Sequence, residues 1–260
     1  MFRGFPPANA TRSFTLRIRA ATAGTGKKLT LELGGKAANI VFDDCALDQA
    51  VEGIVNGIYF NQGHVCCAGS RLLVQESIYE PLVAKLKRRL RTIRVGDPLD
   101  KNTDLGAINS RMQLEKIREL VASGEEEGAE MYQPPCRLPE KGFWFAPTVF
   151  TNVAQSSRIA QEEIFGPVLG VIGFDDEDDA VRIANDSIYG LSGMIATGDV
   201  ERGKAVARRI RTGTLGINGG IWLGADAPFG GYKQSGIGRE LGVAALDHYT
   251  ETKNIYIDLS

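Results

Sequence analysis

Two stretches of this 260-residue chain hold residue types that can make and break covalent bonds. One is Asn61-Gln62-Gly63-His64-Val65-Cys66-Cys67-Ala68-Gly69-Ser70, where two adjacent cysteines stand among small residues. A thiol on such a turn is both held and reachable, the conditions a thiolate nucleophile needs. The alternative is that both are small buried hydrophobes, as most free cysteines are. The other stretch is Leu31-Glu32-Leu33-Gly34-Gly35-Lys36, an acid inside an apolar run just before two glycines. Burial there would raise the carboxyl pKa toward that of a general base, and the glycines leave room beside it. A lone strand glutamate otherwise faces solvent. A glutamate before Gly-Gly with a cysteine turn further on suggests a base and a nucleophile brought together by folding.

The elements that must position them follow from periodicity. Leu47, Ala50, Val51, Ile54, Val55, Ile58 and Tyr59 fall at helical spacing with one buried face, and Asn61 and Gly63 end that helix in a left-handed turn. Residues 71–75 read as the next strand, with others at 30–33, 39–42, 143–150, 168–174, 193–197, 214–218 and 254–259. Residues 77–80 form a capping box that opens a helix to Thr92. Ser110 caps a helix that Gly124 and the acidic turn 125–127 end. Asp176 and Asp199 open helices reaching Asn185 and Arg211, and 241–249 reads as the last one. The first residues show no periodicity, and Pro6-Pro7 and Gly24-Thr25-Gly26 read as loop. Strands alternating with helices imply an α/β fold with a largely parallel open sheet.

Composition sets bounds. Apolar content of 43% and charged content of 24% are those of a globular domain. A net charge of −2 argues against a nucleic-acid partner, and no apolar run approaches a membrane span. Four cysteines, two of them adjacent, suit a reducing compartment, and no Cys/His spacing suggests a metal site. A cytoplasmic location follows. The acid-free start with Arg3, Arg12, Arg17, Arg19, Lys27 and Lys28 leaves a mitochondrial leader as the alternative.

LELGGKAA at 31–38 and FNQGHVCCAGSR at 60–71 resemble the two active-site signatures of the aldehyde dehydrogenase superfamily, at similar spacing. The likeness continues through 162–167 and 227–236 and covers about 21–259. It implies oxidation of an aldehyde to a carboxylic acid, with hydride passing to NAD or NADP. Cys66, third after Gly63, stands where the family places its nucleophile, and Glu32 would activate water for thioester hydrolysis. Cys67 would be a neighbouring core residue. Glu163 and Phe165 fall where the family holds the nicotinamide ribose and ring, with Gln113 and Leu33 also on the cofactor side. Trp222, Leu223 and Phe229 would line the substrate pocket and favour an apolar or aromatic aldehyde, although Trp222 suits a core role equally. Lys36 and Lys233 are expected to be structural.

The resemblance also implies a domain plan. Residues 1–33 would be a remnant of the dinucleotide-binding domain and 34–234 the catalytic domain. Residues 235–249 would be a helix returning to the cofactor domain, and 250–260 a homo-oligomerisation strand. The strand–glycine-turn–helix unit that cradles a pyrophosphate is expected before Ile18, where Thr11-Arg12-Ser13-Phe14-Thr15 stands instead. The glycines of 236–242 have the wrong spacing for it. The dinucleotide domain is therefore read as truncated and dinucleotide binding as weak. Two other functions stay open: an inactive C-terminal fragment acting only through self-association, and a cofactor-independent thiol esterase. Which aldehyde, and which of the two dinucleotides, the residues leave open.

Overall fold

The computed structural model describes residues 10–220 and 223–260, with helical side chains from Thr15 onward. Its centre is a seven-stranded sheet. The strands are β2 (Ala38–Val41), β3 (Arg71–Gln75), β4 (Glu130–Tyr132), β5 (Thr148–Thr151), β6 (Val168–Phe174), β7 (Ser192–Ala196) and β8 (Thr214–Ile217). They lie in the order β4-β5-β6-β3-β2-β7-β8, and every pair is parallel except β4 with β5. The continuous apolar run of β6 and the fully buried β2 suit central strands covered on both faces.

Alternation along the strands sends Val41, Leu72, Val74 and Val171 to one face and Ile40, Leu73 and Ile172 to the other. The first face is covered by α2 (Leu47–Tyr59) through Val51, Ile54 and Ile58, and by α3 (Tyr79–Leu90) through Leu82 and Leu86. The second is covered by α4 (Arg111–Glu126), the short α5 (Arg158–Gln161), α6 (Glu177–Asn185) and α7 (Val200–Arg209), through Ile117, Ile159, Ile183 and Val206. The path β2–α2–β3 runs one way along the sheet and β7–α7–β8 the other, so the winding reverses between β2 and β7. The expected caps form at Ser110, Asp176 and Asp199, each side-chain oxygen accepting backbone N–H groups of the first turn.

Several local expectations are corrected. Residues 10–22, in which the sequence shows no periodicity, form α1 (Ala10–Thr22), where Ala, Leu and Arg favour helix. Ser77 does not cap α3; its hydroxyl donates to Asp43 Oδ2 at 3.0 Å, and a 3-10 turn at Glu76–Ile78 leads in. Helix α4 runs past Gly124, which is packed tightly against Ile159 and Phe150, and the chain turns at Gly128 (φ 89°). In 143–150 only the part after Pro147 becomes a strand, because proline cannot donate to the ladder. The helix expected at 241–249 shrinks to α8 (Leu246–Tyr249) behind a 3-10 turn, since Leu241 (φ 60°) and Gly242 (φ 59°) are left-handed. Residues 254–259 form no strand in the single chain; Ile255, Tyr256, Ile257 and Leu259 lie exposed.

A second, two-stranded ribbon pairs β1 (Leu31–Glu32) antiparallel with β9 (Gly236–Ile237). It joins the end of the 1–33 segment to the start of 235–249, and Lys28 Nζ donates to the carbonyls of Asp247 and Thr250.

Candidate active site

Left-handed backbone builds the turn that carries the cysteines. Helix α2 runs into a 3-10 turn, Phe60–Gly63, where Asn61 (φ 50°), Gln62 (φ 58°) and Gly63 (φ 72°) are all left-handed. That conformation is costly for non-glycine residues, and their side chains offset it. Asn61 Nδ2 donates to the His64 carbonyl at 3.1 Å, and Gln62 Oε1 accepts the Gly106 N–H at 2.9 Å. A Cβ on Gly63 would strike the Gly166 carbonyl. A second turn follows, closed by the Ala68 N–H on the Val65 carbonyl at 3.0 Å, with Cys66 and Cys67 as its central residues. The Gly69 N–H reaches the Gly57 carbonyl at 3.0 Å, and the Ser192 hydroxyl donates to the Cys67 carbonyl at 3.2 Å. The thiols are thereby tied to α2 and β7.

Both cysteines are half-buried; Cys67 is therefore not the core residue expected for it. The mutual influence of the two neighbouring thiols is the main effect on both. It holds Cys67 down to about 7 and pushes Cys66 up, with burial and the negative charges of Cys67 and Glu32 adding to the rise. The pair thus loses one proton readily and a second with difficulty.

Glu32, on β1 opposite Gly236, has both carboxylate oxygens buried with no hydrogen-bond partner. A Cβ on Gly230 would lie 3.0 Å from Glu32 Oε1, so glycine makes the room there. Burial chiefly, then the charge of Glu240, raises the Glu32 pKa, against the charge of Arg239 and the nearby Gly231 N–H. A carboxylate raised in this way is a better proton acceptor than a solvated one. Glu240 is the residue that sequence reasoning missed: it stands in the glycine stretch set aside as a false lead. Only the ribbon and the Phe229–Glu240 bridge, with both hydrogen bonds at 2.7 Å, bring it to Glu32. The same bridge carries Phe229 to this side of the site, and the Leu33 N–H is fixed on the Ser235 carbonyl at 3.0 Å.

The Gly34-Gly35 turn lies between Glu163 and the cysteine turn. The Glu163 carboxylate accepts the Gly35 N–H at 3.0 Å, and a Cβ on Gly34 would collide with it. A Cβ on Gly35 would come within 2.5 Å of the Cys66 carbonyl. Burial raises the Glu163 pKa, opposed by Gly35, Lys116 and Lys36. Phe165 (φ 54°) stacks on His64 with centroids 5.1 Å apart and rings 5° from parallel. Gln113 Nε2 donates to the carbonyls of Ile164 and Phe165 at 2.9 and 3.0 Å, so it holds this loop.

Behind the turn, Lys36 is buried with Nζ lacking a hydrogen-bond partner, and burial followed by the Arg71 charge pulls its pKa to about 7. Lys233 is structural as expected, donating to the carbonyls of Asn185 and Ser187 at 2.8 and 3.0 Å. Leu223 is exposed, and Trp222 lies outside the described residues. A cavity of about 490 Å³, lined by Asp44, Cys45, Gln49, Met194 and Asn218, opens at the other end of the sheet, beyond the carboxyl ends of β2, β7 and β8. Among the described residues no three His, Cys, Asp or Glu side chains cluster as metal ligands, and no helix is long and apolar enough to cross a membrane.

The family model described as the aldehyde dehydrogenase family matches residues 11–255. Among solved structures, betaine aldehyde dehydrogenase from Staphylococcus aureus in complex with NAD+ is 42% identical, with a TM-score of 0.88 over 92% of this chain and 48% of that one. An NAD-dependent aldehyde dehydrogenase from Sinorhizobium meliloti is 41% identical, with a TM-score of 0.92 over 95% of this chain and 50% of that one. The NAD+ complex of an aldehyde dehydrogenase from Bacillus cereus is 40% identical, with a TM-score of 0.92 over 96% of this chain and 51% of that one. The chain thus spans about half the length of the structures it matches.

Proposed function

Because this chain belongs to the aldehyde dehydrogenase family, we propose that it carries the thiol and base chemistry of aldehyde oxidation to a carboxylic acid. The observation that carries the reading is the convergence of the Cys66 turn and the unpartnered Glu32 carboxylate, close enough that Glu32 raises the Cys66 pKa. The Cys66 sulfur attacks the aldehyde carbon as its proton passes to the neighbouring Cys67 thiolate, giving the alkoxide of a thiohemiacetal. Loss of hydride leaves a thioester on Cys66. Glu32 then takes a proton from water as the water attacks the thioester, and the acid departs.

NAD or NADP, when bound, supplies the hydride acceptor. The residues fit its nicotinamide end: the Glu163 carboxylate suits a ribose diol, and the Phe165 ring, held on its stacked loop, suits the base. In the structure Glu163 is engaged with Gly35 and Gln113 with Ile164 and Phe165, so these groups must exchange partners to hold a ribose. This supports weak binding by the chain as it stands. Phe229 beside Glu240 supports an apolar or aromatic aldehyde. Exposed Ile255, Tyr256, Ile257 and Leu259, with β8 as an edge strand, support a homo-oligomer. Cysteine usage supports the cytoplasm.

The test is aldehyde-dependent formation of reduced dinucleotide by the purified chain at millimolar NAD or NADP, followed for Cys66→Ser and Glu32→Gln. Serine at 66 should abolish turnover, and Glu32→Gln should accumulate an acyl group on Cys66 by mass spectrometry. Retained turnover in Cys66→Ser, or an acyl group on another residue, refutes the reading.

A further inference from the structure

His64 lies two residues before Cys66, and its backbone is fixed on both sides by Asn61. Its N–H donates to the Asn61 carbonyl at 2.9 Å, and its carbonyl accepts from Asn61 Nδ2 at 3.1 Å. The imidazole Nε2 accepts the Asn109 N–H at 3.3 Å, which puts the ring proton on Nδ1. Burial lowers the His64 pKa, against the nearby Phe165 carbonyl, so the ring stays neutral at neutral pH. Neither thiol attack nor deacylation uses this ring.

The imidazole lies flat on Phe165, with centroids 5.1 Å apart and planes 5° from parallel, an offset stack. Phe165 needs support, because its left-handed backbone (φ 54°) is costly for a bulky residue. Gln113 holds the backbone, Nε2 donating to the Ile164 and Phe165 carbonyls at 2.9 and 3.0 Å. His64 holds the ring. The two supports meet at the start of α4, where Asn109 donates to His64 and Ser110 Oγ accepts the Gln113 N–H at 3.2 Å. The contacts close a circuit from His64 through Asn109, Ser110 and Gln113 to Phe165 and back, anchored on the cysteine turn.

We propose that His64 is a positioning residue: it covers one face of the Phe165 ring and so fixes the other face, relative to Cys66, for a nicotinamide ring. This rests on the proposed oxidation of an aldehyde with NAD or NADP, and adds to it the residue that sets where the hydride acceptor lies. Phe165 is half-buried rather than sealed, and a flat ligand must take the face that His64 leaves. A platform immobilised before binding has little freedom left to lose on binding. Three substitutions separate the two contacts. Phenylalanine at 64 keeps the stack and loses the acceptor for Asn109, glutamine keeps an acceptor and loses the ring, and alanine loses both.

The full chain and its His64→Phe, His64→Gln and His64→Ala variants are titrated with nicotinamide mononucleotide at millimolar concentration and followed by saturation-transfer NMR. Wild type and His64→Phe should bind alike. His64→Gln and His64→Ala should bind about twofold to tenfold more weakly, the range that an aromatic pair is worth. In these two variants transfer to the nicotinamide protons should also fall relative to the ribose protons. Loss of folded protein would lower both together and leave their ratio unchanged. The inference is overturned, with the aldehyde reading left standing, if wild type binds and phenylalanine fails to restore what alanine loses. It is equally overturned if glutamine or alanine binds as well as phenylalanine. No binding by any chain, wild type included, overturns the aldehyde reading and the inference with it.

Discussion

The Glu163 carboxylate accepts the Gly35 backbone N–H at 3.0 Å and occupies the space where a side chain on Gly34 would begin. A residue 128 positions away thus locks the glycine turn beside the candidate base and nucleophile. The absence of a side chain at 34 is a steric requirement set by a carboxylate.

Gly34→Ala should therefore displace Glu163 and break its bond to Gly35, at a cost of about 1–3 kcal/mol. In a Glu163→Ala background the same change should cost far less. Urea denaturation of the four chains measures the coupling, and additive costs would show that Gly34 is small for another reason.

Lys36 should make stability depend on pH. Its pKa is about 7 in the folded chain, against the ordinary lysine value when unfolded. Between these values the unfolded chain binds more protons, so stability rises as pH climbs from 7 toward 10; below 7 the penalty is present in full. Lys36→Met removes the buried ammonium. It should stabilise the chain by a few kcal/mol near pH 7, roughly, with the gain shrinking by pH 10. Equal gains at both pH values would contradict the assignment.

Glu240→Gln should lower the Glu32 pKa, because it removes the negative charge that adds to burial there. The acid limb of deacylation should move to lower pH, and a pre-loaded thioester on Cys66 monitored by stopped mass spectra would show it. The sign for stability is also fixed. A raised folded pKa means that stability is greatest below the unfolded value and falls as pH rises through the folded one. Glu32→Gln should lack that fall while losing deacylation. An unmoved acid limb in Glu240→Gln would remove Glu240 from the site.

Arg71 is buried at the start of β3 and donates to the carbonyls of Ile183 and Ala184 at 2.9 and 2.8 Å, closing the carboxyl end of α6. Arg71→Met should orphan those carbonyls and cost roughly 2–5 kcal/mol. Arg71→Lys should recover only part, since a single compact ammonium on a differently shaped stem replaces two separate, rigidly planar donors, Nη1 on Ile183 and Nη2 on Ala184. Thermal unfolding of the three chains decides, and full recovery by lysine would mean that charge alone matters.

Removing residues 250–260 should reduce self-association at micromolar concentration, because it removes the exposed apolar side chains of Ile255, Tyr256, Ile257 and Leu259. Light scattering on both forms is the measurement. A monodisperse monomer for the full chain, or association unchanged by the cut, defeats this prediction.

Local pattern alone determined much of this protein. The buried face of α2, the strands β3 and β6, and the caps at Ser110, Asp176 and Asp199 follow from periodicity and from groups a few residues apart. Such interactions are written in the order of residues, as are a thiol on a small-residue turn and an acid before two glycines. Even there, α1 and the short β4 left no readable trace.

Tertiary structure decided the rest, because register and approach join residues that no spacing connects. Pairing β1 with β9 sets Glu240 against Glu32, and Glu163 reaches Gly35 across the sheet ends. Gln113, expected near a ribose, is spent on the Ile164 and Phe165 carbonyls, and left-handed backbone at Leu241 and Gly242 breaks a plausible helix. Whether two neighbouring cysteines part or meet depends on the backbone angles of a single turn. Contacts at the helix and strand around it fix that turn, and the sequence of the turn does not contain them.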